Sequence, residues 1–313
     1  MSQGPVWRKR RRVHGKIRAS FRRPVTAALP STTAADTPVP ADTRWSPLLR
    51  VTVVVHLLAF SLPWFWAGSW RWALAALIAN HVLLAAAGLW PRARLLGPNI
   101  TRLPAAAAAR GEVALTIDDG PDPAVTPAVL DLLDRHGARA TFFVIAERAA
   151  RHPALVAEIL ARGHSVQNHS FHHRHNFSLL GPRGFHRELE RAQSQLRALT
   201  GERPRFFRAP AGLRNPFLQP VLQRHGLQLT SWTRRGFDTR ESDPQRVLAR
   251  LTRDLAAGDI LLLHDGHAAR GSGGEPVVLA VLPPLLQRLN DTGLHSVTLP
   301  TAFAEATART PNA

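Results

Sequence analysis

The chain has 313 residues, 45% of them hydrophobic, which suffices for a sizeable core and one or two domains. It contains no Cys, so disulfides and thiolate metal sites are excluded and any metal must be held by His and carboxylate. The formal charge of +18 invites a nucleic-acid reading, but residues 1–50 alone hold nine Arg and two Lys against Asp36 and Asp42. There is no Tyr and no aromatic-basic interleaving of the single-strand-binding kind, so nucleic acid is not expected as a partner.

In chain order, residues 1–45 are basic, then rich in Pro, Ala, Thr and Ser, and are expected to form a disordered tail. Two apolar runs follow at about 48–66 and 72–90, within a membrane segment taken as 46–92. Each is close to the ~20 residues a spanning helix needs. Trp64, Trp66, Trp70 and Trp72 cluster at the turn and Trp45 and Trp90 mark the far ends, as rings at two membrane interfaces would. Arg44, Arg50, Arg92 and Arg94 flank the far ends while the turn carries only Arg71, which places both ends on the cytoplasmic side of a hairpin. His56, Pro63, Asn80 and His81 weaken the hydropathy, and the alternative is one span plus an interfacial helix.

Residues 93–110 read as a linker, 111–303 as a globular domain and 304–313 as a C-terminal tail. In the globular part strands are expected at 112–117, 140–145, 165–168, 205–207, 228–232, 259–263 and 296–299. Helices are expected between them at 126–136, 153–162, 183–199, 216–225, 243–256 and 276–289. Such alternation predicts an α/β fold, a compact (β/α) barrel smaller than the eightfold one. Gly271-Ser272-Gly273-Gly274 reads as a mobile rim loop.

Chemistry gathers at the strand ends, where barrels carry their active sites. The first strand ends in Asp118-Asp119-Gly120-Pro121, two carboxylates that are costly there without a cation or shared proton. Read alone they fit a helix cap equally well. The third strand leads into His169-Ser170-Phe171-His172-His173, where a helical turn would bring His169 and His173 to one side. With an acid they make a two-His, one-carboxylate site that leaves room for water and substrate. Arg208 follows the fourth strand, Asp238 lies beyond the fifth and His264 ends the sixth. Taken singly, Arg208 fits a surface ion pair, Leu262 plain core and His264 a helix cap.

These elements together resemble a known family. Thr116-Ile117-Asp118-Asp119-Gly120-Pro121 is similar to its T-F-D-D-G-P motif and His169-Ser170-Phe171-His172-His173 to its H-S/T-x-x-H. Phe207-Arg208-Ala209-Pro210-Ala211-Gly212 is similar to its R-x-P-x-G element and Leu262-Leu263-His264 to its L-x-H. The chain over about 110–303 thus resembles the polysaccharide deacetylases with a NodB-homology domain, the fourth carbohydrate esterase family. The resemblance implies a distorted (β/α)7-type barrel and a divalent metal held by Asp119, His169 and His173, zinc first, with cobalt, nickel or manganese as other candidates. It implies Asp118 as general base, tuned by Arg208, and His264 as general acid, oriented by Asp238. The Ala211 backbone N–H would serve the oxyanion, and Leu262 would wall the acetyl pocket. Ala211 and Thr239 stand where the family usually has groove-lining aromatics, and Trp232, Phe237 or Phe171 are the candidates to replace them.

The expectation is a membrane-anchored N-deacetylase acting on an amino-sugar glycan or a lipid-linked saccharide, with the hairpin and basic tail contacting lipid. Its expected place is the bacterial inner membrane, multi-pass, with the catalytic domain on the cytoplasmic side ahead of the external one. The rival is a catalytically silent, anchored carbohydrate-binding or assembly protein.

Overall fold

The computed structural model describes Met1 and residues 46–308. The remainder of the expected N-terminal tail and the last part of the C-terminal tail lie outside the described residues. Among the described residues eight parallel strands form the sheet: β1 Glu112–Asp118, β2 Ala140–Val144, β3 Ser165–Asn168, β4 Phe206–Phe207, β5 Gln228–Leu229, β6 Arg234–Arg235, β7 Ile260–His264 and β8 His295–Ser296. Their order is β5-β4-β3-β2-β1-β7-β6, with β8 pairing the first residues of β1. The sheet curls into a barrel of the expected α/β type, and its seam lies between β5 and β6.

Every residue of β1, β2 and β7 is buried, which is why these strands read as continuous apolar runs rather than alternating ones. The period of two still sorts their faces. Val113, Leu115, Ile117, Phe142, Val144, Leu261 and Leu263 pack outward under the helices Thr126–Arg135 and Val277–Asp291. Ala114, Phe143, Ile260 and Leu262 pack together on the inner face. Asp118 and His264 share the parity of Ala114 and Leu262, so the pleat alone aims both at the barrel interior.

The stretch 93–110, expected as a linker, is folded onto the seam. Ile100 pairs in parallel with Thr230 beyond β5, and Arg102 pairs antiparallel with Asp259 before β7. Backbone bonds from Ile100 to Leu229, Ser231 to Ile100 and Leu103 to Gly258, all 2.8–2.9 Å, stitch the strip to both edges. Three further differences are local. The expected strand 228–232 is cut to β5 at Gln228–Leu229, and β6 at Arg234–Arg235 is a further short strand beyond it. The expected strand at 296–299 yields to the helix Leu299–Ala308, which runs into the expected tail. The 271–274 loop is a tight turn, closed by a bridge between Arg270 and Pro276 and by the Gly271 N–H on the Glu275 carbonyl.

Before the barrel come helix α1 (Pro47–Phe65) and helix α2 (Trp70–Leu89), joined by a short 3-10 turn. The Ser46 hydroxyl caps α1 by accepting from the Leu49 N–H, with Pro47 at the first helical position. The two helices run antiparallel: Leu48 packs with Ala87, and the Thr52 hydroxyl donates to Asn80 Oδ1 at 3.1 Å. Both are long and apolar enough to cross a membrane.

Candidate active site

Strand register assembles the site. Asp118 at the end of β1 lies level with Phe143 on β2 and His264 on β7, while Asn168 on β3 lies level with Phe207 on β4. His169 and Arg208 therefore emerge one residue further along their own strands, at the same rim.

Arg208 is fully buried inside the barrel. Its Nη1 donates to Asp118 Oδ1 at 2.6 Å and to the Thr116 hydroxyl at 2.8 Å, and its Nε and Nη2 donate to the carbonyls of Thr230 and Ser231. The guanidinium thus pins one Asp118 oxygen and closes the seam at once. The other oxygen, Oδ2, stands 3.8 Å from His169 Nε2.

Asp119 turns away from β1 with φ 74. Gly120 follows because the Asp265 carboxylate lies behind the turn, where a Cβ would come within 2.4 Å of it. Asp119 Oδ1 sits 3.2 Å from His169 Nε2 and 3.1 Å from His173 Nε2. His169 and His173 meet without a helix, contrary to the expected helical turn. Residues 169–174 are irregular, and left-handed Ser170 (φ 66) and His173 (φ 53) fold the loop so that the two rings lie 4.8 Å apart. Asn168 Oδ1 holds this loop through the Ser170 N–H, and the Ser170 hydroxyl holds it through the His173 N–H. His172 points elsewhere, its Nδ1 bonded to Glu188 at 2.7 Å.

These three residues fit a divalent cation. Their ligand atoms all lie within 4.8 Å of one another, and buried Asp119 Oδ1 has no hydrogen-bond partner among the described residues. Ligands on a tetrahedral zinc at ordinary bond lengths would stand about 3.3 Å apart. The His169 Nδ1–H donates to the Arg208 carbonyl at 2.8 Å, which turns the Nε2 lone pair toward Asp119. Burial lowers the His173 pKa to about 4, so its ring is neutral and free to ligate. Burial also opposes charge on His169, yet Asp118 and Asp119 together raise its pKa, marking the spot as one that favours a cation. For Asp119 burial is likewise overruled, here by the close His169 ring and the hydrogen bond from His267, which hold it well below its usual range. His267 was not anticipated. Its Nδ1 donates to Asp119 Oδ2 at 2.9 Å, and Arg148 Nη2 lies 3.0 Å from its other ring nitrogen.

His264 and Asp238 form a second unit. Asp238 Oδ1 accepts from His264 Nδ1 at 2.9 Å and its Oδ2 from the His264 backbone N–H at 2.7 Å. Burial disfavours the imidazolium, but Asp238 outweighs it and the His264 pKa rises to about 9. Ala211 lies in the loop after β4 with φ 54. Leu262 is buried on the inner face together with Trp232, which is wedged against Gly212. Of the three aromatic candidates for sugar contact, Trp232 is buried, Phe171 is covered by Arg191, and Phe237 is 47% exposed.

The family profile described as polysaccharide deacetylase matches residues 106–230. A peptidoglycan-N-acetylglucosamine deacetylase of Bacillus cereus is 32% identical over 199 residues, 60% of this chain and 85% of its own. A chitooligosaccharide deacetylase of a Bradyrhizobium species is 35% identical over 156 residues, 50% of this chain and 71% of its own. A family 4 carbohydrate esterase from Streptomyces lividans, solved with acetate, superposes with a TM-score of 0.54 at 33% identity, across 59% of this chain and 91% of its own. The chain belongs to the polysaccharide deacetylase family.

Proposed function

We propose that the protein is a metal-dependent N-deacetylase of amino-sugar glycans, anchored in a membrane by its helical pair. The observation that carries this reading is the convergence of three units on one rim: Asp118 with Arg208, Asp119 with His169 and His173, and His264 with Asp238. A divalent cation held by Asp119, His169 and His173, zinc being the first candidate, would polarise the acetamide carbonyl and acidify a water. Asp118, fixed by Arg208 through one oxygen, takes the proton of the attacking water on the other. The water oxygen bonds to the carbonyl carbon, and the Ala211 N–H faces the oxyanion. His264 then gives its proton to the nitrogen as the carbon–nitrogen bond breaks, leaving acetate and a free amine. Leu262 and Trp232 form the floor beneath the acetyl methyl. From an N-acetylated amino-sugar substrate, whether a free oligomer or a lipid-linked sugar, acetate and primary amine are expected in equal amounts; cleavage of any other bond, or none with every such substrate, would sink the assignment.

Because His264 acts as the acid, turnover is expected to fall as pH rises through about 9, where its proton is lost. Asp238→Asn removes the charge that raises this pKa, so the alkaline limb should move to lower pH; an unmoved limb in the pH–rate profile would contradict the pairing.

Exposed apolar surface supports the membrane anchor. Trp64, Phe65 and Trp72 are 88%, 87% and 71% exposed, and apolar side chains such as Val54, Leu58 and Val82 face outward around both helices. A patch of this extent is costly in water and at home in lipid. We assign residues 46–92 to the membrane, 111–303 to catalysis with 93–110 closing the seam, and 1–45 and 304–313 to flanking tails. The basic tail adds attraction to anionic lipid. The Arg distribution favours both helix ends on the cytoplasmic face of a bacterial inner membrane. A side-specific reporter after Ala313 tests this, and an external signal would contradict it.

A further inference from the structure

Two features near the mouth are left unused by the hydrolytic scheme. The first is how α2 leaves the membrane segment. The Gly88 carbonyl accepts from the Arg214 N–H at 3.1 Å, and a Cβ at Gly88 would sit 2.3 Å from the Arg214 carbonyl oxygen. Pro91 lies against Gly212, where a Cβ would come within 2.7 Å of it, and the Pro91 carbonyl accepts from the Ser231 hydroxyl at 2.6 Å. Arg214 reaches back to the carbonyls of Ala93 and Gly97. The loop that carries Ala211 is therefore clamped directly to the end of the apolar helix, with no spacer to lift the mouth away from a bilayer. Exposed Leu89, Trp90 and Leu95 on this exit and Phe217 on the clamped loop continue the apolar surface toward the rim.

The second feature is Arg235, at the end of β6 and level with Leu262 on β7. Its guanidinium lies 5.2 Å from the Trp232 ring and 4.9 Å from the Phe237 ring. Its buried Nε has no hydrogen-bond partner, and it forms no ion pair among the described residues. Arg208, by contrast, spends its donors inside the barrel. A stacked guanidinium with unused donors is a receptor for an oxyanion, phosphate above all. Partial burial, which lowers its pKa, sharpens the need for an anionic partner. In a 2-acetamido sugar bearing phosphate at carbon 1, the acetamide and the phosphate sit on adjacent carbons. An anion receptor next to the residue that floors the acetyl pocket matches that spacing.

Resting on the deacetylase reading above, we propose that the substrate is an amino sugar joined through phosphate to a membrane lipid, with Arg235 receiving the phosphate at the bilayer surface. Arg235 is then a specificity residue, not a participant in bond breaking. The full chain in lipid vesicles would be assayed on N-acetylglucosamine linked by phosphate to a long-chain alcohol, on soluble N-acetylglucosamine 1-phosphate, and on neutral N-acetylglucosamine oligomers.

The lipid-linked substrate is expected to give the highest kcat/KM. Arg235→Gln should reduce the ratio of lipid-linked to neutral kcat/KM by about 10- to 100-fold, the worth of a charged hydrogen bond, chiefly through KM. Arg235→Lys should restore part of that ratio, with thermal unfolding confirming that both variants fold. An unchanged ratio in Arg235→Gln would overturn the phosphate contact. Equal or better use of the soluble sugar phosphate would overturn the lipid carrier. Acetate from none of the three substrates would instead remove the deacetylase reading itself, a separate failure.

Discussion

His169→Ala and His173→Ala are each expected to lose divalent metal and, with it, turnover. His169 Nε2 and His173 Nε2 stand 3.2 and 3.1 Å from the same Asp119 oxygen, so removing either ring leaves a two-ligand fragment. Even an outer-shell partner of a metal site is worth about 10–100-fold in affinity, and a direct ligand should exceed that. The two variants differ in their side effects. His169 is buried and its Nδ1–H satisfies the Arg208 carbonyl, so its loss also costs stability, by about 1–3 kcal/mol. His173 is partly exposed and should lose metal at little cost to folding. Metal analysis of the purified proteins beside their unfolding temperatures separates the effects. Wild-type metal content in either variant would refute the ligand set.

Asp118→Asn is expected to lower kcat by about 10²–10⁴-fold, the usual worth of a positioned base, while metal content stays near wild type. The asparagine can still accept from Arg208 Nη1 through its carbonyl oxygen, so the buried guanidinium keeps a partner and the barrel keeps its seam. What is lost is the second carboxylate oxygen and its capacity to take a proton. A variant with a tenth or more of wild-type turnover would show that Asp118 is not the base. Loss of metal together with turnover would instead assign Asp118 to the cation.

Much of this site was legible because its residues announce themselves locally. An acid pair ending an apolar run, a His cluster after another strand and His264 closing a third sit where a parallel barrel puts its chemistry. The strand pleat then aims Asp118 and His264 inward, and their register makes them neighbours. What sequence could not carry is contact made by distant backbone. The seam strip around Ile100 looks like a linker because its pairing partners, Thr230 and Asp259, lie more than a hundred residues away. β6 escaped notice because two adjacent arginines hide a strand whose partners supply all the burial.

The His169–His173 turn departs from the expected helix for another reason. Spacing of four suggests a helix, but left-handed Ser170 and His173 bring the rings together by a route that non-glycine residues seldom take. His267 lies only three residues past His264, and its bond to Asp119 depends on how the loop after β7 folds back over β1. Its signal was one more His in a chain that has 15.

In the mechanism proposed, a cation held by Asp119, His169 and His173 and the base Asp118 together cut an N-acetyl group. The most direct measurement is acetate release from an N-acetylated amino sugar by the full chain in lipid, before chelation, after it, and after divalent metal is returned. Release is expected to stop on chelation and resume on re-addition in wild type, and in Asp118→Asn to stay about 100-fold or more below wild type even with metal present. Release that continues unchanged after the metal has been stripped would contradict the metal-dependent mechanism.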